Sequence, residues 1–144
     1  MEALGLSWQF WALLAAVFAA LTAIFAKLGV TDINSDFATF LRTLVVLVVL
    51  GTILVVTRKF ESLRGIPPRS ALFLLLSGLA TGASWVCYFR ALKLGNASQV
   101  APVDKLSVVL VALFGVLFLG ESLSTTGWIG VTLVGAGAVL MALG

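Results

Sequence analysis

Asp104 and Lys105 stand side by side near the start of an otherwise apolar run, ASQVAPVDKLSVVLVALFGVLFLGE, in a chain whose other ionisable residues lie mostly near segment ends. An acid and a base so placed can orient a ligand, exchange a proton or neutralise each other. Charge inside a bilayer costs about 2.5–3.5 kcal/mol per residue, so such groups line a pathway or meet a partner. Arg42, in FATFLRTLVV, poses the same question: it lies about two turns into an apolar segment with no acid beside it. It calls for an anionic ligand or a partner from another helix. Reaction chemistry has little to draw on. The chain contains no histidine and one cysteine, Cys87, so a transition-metal site and an intrachain disulfide are both unexpected. Asp104 and Glu121 fall about 25 Å apart along a helix, too far for a carboxylate dyad. Neither an enzyme nor a bound cofactor is expected.

The elements that must position these residues are membrane helices. Of 144 residues 61% are hydrophobic and 10% charged, with a mean hydropathy of +1.18, which places the chain outside soluble composition. Five apolar segments run roughly from Trp8 to Leu28, Asp36 to Thr57, Ala71 to Leu94, Ser98 to Gly120 and Thr125 to Leu143. Each is near the ~20 residues that a helix needs to cross the hydrocarbon core. The expectation is one all-α membrane domain over residues 1–144, its helices joined by short turns into antiparallel hairpins. The first segment follows Glu2 rather than a basic stretch and exceeds signal-peptide length, so it reads as a retained helix. Trp8, Trp11 and Trp128 fit interfacial anchors in contact with lipid.

The net charge of +3 is concentrated beside one loop, at Arg58, Lys59, Arg64 and Arg69, which marks a membrane surface rather than a nucleic-acid footprint. Placing that loop in the cytoplasm puts the N-terminus inside and the C-terminus outside. Lys27, Arg90 and Lys93 lie near segment ends on the opposite side, so the bias is narrow. A fixed orientation and insertion both ways remain open.

At 100° per residue the third helix gathers Ser77, Thr81, Ser84, Trp85 and Tyr88 into one sector, a stripe suited to a cavity or a helix contact. Arg90 points the other way and is read as reaching for headgroups. Gly78 and Gly82 leave room for a neighbouring backbone. On the first helix Ala12, Ala16, Ala20 and Ala23 form a small-residue face, expected to press on other helices, that ends at Lys27. Ser35, Thr39 and Arg42 share a sector of the second, and Asp104 shares its face of the fourth with Ser107, Val111 and Gly115. Two starts are open for that fourth helix. From Ser98 it carries Asp104 roughly 9 Å inside; from Pro102 it leaves the acid at the interface, as a first-turn cap.

Lys27, Arg42, Tyr88, Asp104 and Lys105 all lie within about two turns of the ends bearing GVTDINSD and LGNAS, which share one side of the membrane. Together with Trp85 they form the expected substrate site, a polar vestibule between helices one to four in which Asp104 faces cations from the first two. Its cations outnumber its carboxylate, so the expected substrate is a small anionic or zwitterionic metabolite. The last segment, TTGWIGVTLVGAGAVLMALG, has no ionisable group and reads as a packing element.

Three stretches carry a resemblance: the alanine-rich first helix ending AIFAKLGV, FATFLRTLVV, and NASQVAPVDKLSVVLVALFGVLFLGESLS with its early proline and Gly120-Glu121 ending. The chain resembles the EamA family of the drug/metabolite transporter superfamily over essentially its whole length, but as one five-helix repeat of a ten-helix architecture. The resemblance implies transport by alternating access through a central cavity. It also implies pairing as an antiparallel homodimer, or with a homologous partner of opposite orientation, in a bacterial inner membrane. It puts Arg42, Trp85, Tyr88 and Asp104 on cavity-forming helices and has Glu121 capping the next turn. The first helix lacks the glutamate of the small multidrug-resistance relatives, which weighs against cation efflux. A flippase for polyprenyl-phosphate-linked substrates and a non-transporting membrane subunit are the alternatives.

Overall fold

The structure is a computed structural model that describes residues 7–62 and 65–144. Glu2 of the N-terminal tail and Arg64 of the basic loop lie outside the described residues. Six helices follow in order: α1 (Trp8–Gly29), α2 (Ser35–Thr57), α3 (Pro68–Leu94), α4 (Ala97–Asp104), α5 (Ser107–Leu119) and α6 (Thr125–Leu143). With α4 and α5 taken as one crossing, Ala97–Leu119, five helices are long and apolar enough to span a membrane. The chain is an all-α integral membrane protein.

Local chemistry sets the boundaries. Asn34 caps α2, its Oδ1 accepting from the Asp36 and Phe37 N–H groups at 2.9 and 3.2 Å. Pro68 opens α3, where a missing N–H costs nothing. Ser124 Oγ caps α6 by accepting from Gly127 N at 3.1 Å. Glu121 therefore does not cap the last helix as expected. Its own N–H donates back to the Gly115 carbonyl at 3.1 Å, closing α5 behind Gly120, whose φ of 67° is one that side-chain-bearing residues rarely adopt.

The fourth crossing starts at Ala97, with the Asn96 carbonyl accepting from Gln99 and Val100, so Pro102 lies inside the helix rather than at its head. Proline removes one N–H and crowds the carbonyl four residues back. Downstream of it the ladder tightens: Lys105 bonds to Pro102, Leu106 to Val103, Val108 to Lys105 and Val109 to Leu106, all three residues apart. Asp104 closes α4 and Lys105 sits in this 3₁₀ seam. Each residue of such a turn adds about 20° beyond the α rotation, so the single face expected for Asp104, Ser107, Val111 and Gly115 is not continuous across the seam.

The described chain divides into two compact units, Met1–Lys27 with Leu94–Gly144, and Leu28–Lys93. In the first, α6 packs against α4 and α5. Gly135 permits this: a Cβ there would lie 3.2 Å from Val109 Cγ2. Of the alanine face on α1 only Ala23 is buried, with Ala26; Ala12, Ala16 and Ala20 are exposed. In the second unit Val30, Leu92 and Phe89 are buried with Ser35, Ala38 and Thr39. Gly78 and Gly82, expected to admit a neighbouring backbone, have nothing within 4 Å of their virtual Cβ positions.

Candidate functional site

The polar side chains of the spans divide into those whose needs the fold meets and those it leaves available. Thr39 and Thr81 donate to the carbonyls of Ser35 and Ser77, at 2.9 and 2.8 Å, so their hydroxyls are satisfied within their own helices. The polar stripes that the sequence draws through them demand no ligand.

Arg90 is also satisfied, and differently from expectation. Its Nε and Nη2 donate to Asp36 Oδ1 and Oδ2 at 2.9 and 2.6 Å, a two-pronged pair that ties the end of α3 to the first turn of α2. Lys93 Nζ donates to the Ile33 carbonyl in the same region.

Arg42 is the contrasting arginine. It lies seven residues into α2, about 10 Å along the axis. Its Cζ is 4.1 Å from the ring centroid of Trp85 and 5.6 Å from that of Phe89, both on α3. Tyr88 is close enough to interact with it electrostatically. Among the described residues no carboxylate pairs with Arg42. A cation over an aromatic ring gains about 0.5–2 kcal/mol. Against the about 2.5–3.5 kcal/mol cost of an arginine at membrane depth, the rings offset part, and an anion on the guanidinium N–H groups would offset the remainder.

In the other unit Asp104 Oδ2 accepts from Lys105 Nζ at 3.0 Å, a pairing with its neighbour in sequence. Lys27 Nζ donates to the Gly95 carbonyl at 2.8 Å, linking the last turn of α1 to the turn before α4. Of the six residues predicted as one site, Arg42, Trp85 and Tyr88 lie together in the unit Leu28–Lys93, and Lys27, Asp104 and Lys105 belong to the other. Phe89, absent from the sequence-predicted set, completes the aromatic ledge under Arg42; its position four residues after Trp85 was the available signal.

The profile of the EamA-like transporter family matches residues 6–143. A Sinorhizobium sp protein named as an uncharacterized transporter in the cobO 3' region is 63% identical over 137 residues, spanning 95% of this chain and 97% of the relative. No solved structure matches.

Proposed function

This chain belongs to the EamA-like transporter family and is a membrane transporter, and on that premise we propose that it moves a small anionic or zwitterionic metabolite by alternating access, with Arg42 meeting the substrate's negative charge. The observation that carries this reading is the state of Arg42: set at membrane depth, backed by Trp85 and Phe89, and without a carboxylate partner among the described residues. Arg90 makes the comparison sharp, because the same side chain within the same unit is paired where no ligand is needed. Asp104 and Lys105, at the seam of a broken crossing, supply a second polar element; half-helix ends of this kind commonly serve ion and substrate handling in carriers.

The working unit in this reading is an antiparallel homodimer in a bacterial inner membrane. The exposed face of Ala12, Ala16 and Ala20 suits close approach of a second copy. The narrow charge bias permits insertion both ways.

A thermal-shift screen tests the substrate class. Among carboxylates, phosphates and zwitterions, at least one class raises the Tm of the wild-type protein, and Arg42→Ala abolishes that shift. A full shift in Arg42→Ala would remove Arg42 from the site and the reading with it.

A further inference from the structure

The unit Leu28–Lys93 carries information about which anion fits. On α3, Gly82 and Gly78 lie three and seven residues before Trp85 and share its face, together with Phe89. Both glycines border open space. On α2, Val46 and Val49 lie four and seven residues after Arg42 and share its face. The two helices run antiparallel, so both sets of residues extend from the Arg42–Trp85 pair toward the same, deeper side. A strip about 10 Å long therefore begins at the guanidinium, apolar apart from Thr81, whose hydroxyl is satisfied by the Ser77 carbonyl.

Charge count limits what binds at the head of this strip. Arg42 brings one positive charge. Asp36 and Arg90 cancel each other, and Lys93, which donates to the Ile33 carbonyl, is matched in charge by Asp32, the residue before Ile33. A singly charged ligand leaves the head neutral, whereas phosphate or a dicarboxylate leaves an extra charge among apolar groups, which is strongly unfavourable. A zwitterion places its ammonium next to the guanidinium, and Asp36, the carboxylate in the first turn of α2, is already taken. With its Cζ over the Trp85 ring and no carboxylate paired with it among the described residues, the Arg42 guanidinium suits the planar, two-pronged acceptor that a carboxylate provides.

Resting on the reading of Arg42 as the substrate's anchor, we infer that the ligand is a monocarboxylate with an apolar body: its carboxylate takes the Arg42 N–H groups and its body lies along Trp85, Gly82 and Gly78. Polar, multiply charged metabolites are excluded by the same strip that admits the apolar chain.

Isothermal titration of the full-length protein in lipid nanodiscs separates the outcomes. The probes are 3-phenylpropionate, acetate, succinate, inorganic phosphate and L-phenylalanine. 3-Phenylpropionate is expected to bind at least 10-fold more tightly than each of the others, and Arg42→Ala to weaken it at least 10-fold, with Arg42→Lys intermediate. Gly82→Leu fills the strip and is expected to weaken 3-phenylpropionate at least 10-fold while leaving acetate within 2-fold. Gly82→Ala, whose Cβ meets nothing within 4 Å, gives a smaller loss of the same sign should the leucine variant fail to fold. Arg42-dependent binding that favours succinate, phosphate or phenylalanine overturns the monocarboxylate assignment while sparing the anion-carrier reading. Binding of 3-phenylpropionate that is indifferent to both Gly82 variants overturns the strip. Binding of every probe unchanged by Arg42→Ala overturns the carrier site itself.

Discussion

The Arg42 Cζ stands 4.1 Å from the centroid of the Trp85 ring, and this contact joins the second crossing to the third at membrane depth. It does two things at once. The ring's negative face stabilises a cation that would otherwise be costly to insert, and in the function proposed above it also holds the guanidinium ready for a ligand. The Arg90–Asp36 pair shows the alternative outcome, a guanidinium spent on structure.

Trp85→Ala should therefore weaken substrate binding by more than Trp85→Phe. A cation–π contact of about 0.5–2 kcal/mol corresponds to roughly 2- to 30-fold in Kd. Phenylalanine keeps a ring beneath Arg42 and should stay at the low end. Titration of both variants checks the order; equal losses would show that the ring's bulk, not its face, matters.

Pro102→Ala should restore the backbone donor that the fourth crossing lacks. An interior proline costs a helix about 3 kcal/mol, so the variant is expected to have a higher Tm and a continuous helix through Asp104 and Lys105. If the seam takes part in the transport cycle, turnover falls while Kd changes little. Paired Tm and flux measurements read both; a rise in Tm with unchanged turnover would reduce the seam to a structural feature.

The glycines of α6 differ in their surroundings. Gly135→Leu forces a side chain onto Val109 and should destabilise by about 1–3 kcal/mol, as overpacking does. Gly130 borders open space, and Gly130→Ala should stabilise by up to about 1 kcal/mol through helix propensity. Thermal denaturation in detergent compares them, and a lower Tm for Gly130→Ala would mean that another surface occupies that space in the assembly.

Five crossings were legible in the sequence because each is an uninterrupted apolar run between turn residues, a signal of composition and length. What was hidden depends on geometry that composition does not carry. Pro102 was visible, but whether it heads a helix or interrupts one turns on which carbonyl the first N–H groups choose, and Asn96 takes them. The face drawn through Asp104 assumed one rotation per residue, and the 3₁₀ seam breaks that assumption. Arg90 was judged from its own helix, whereas its partner Asp36 lies on another. Phe89 went unmarked, because aromatic packing under a cation is a property of two helices and not of one. Arg42 was singled out as a residue in need of a partner; the sequence named Trp85 and Tyr88 without showing that the Trp85 ring centroid lies 4.1 Å from its Cζ.

An antiparallel homodimer predicts that a tag at the C-terminus is reached from both sides of the membrane. Labelling of intact and permeabilised vesicles with an impermeant reagent should give about equal fractions on each side, in keeping with the narrow charge bias. Labelling from one side alone would leave only a partner of opposite orientation to complete the ten-helix arrangement.

The central claim, that Arg42 anchors a transported organic anion, is tested most directly by flux of radiolabelled 3-phenylpropionate into proteoliposomes holding wild-type, Arg42→Lys or Arg42→Ala protein at equal, folded amounts. The account predicts saturable uptake by wild type, reduced but measurable uptake with lysine, and uptake at the protein-free background with alanine. Saturable uptake by Arg42→Ala at the wild-type rate would contradict it.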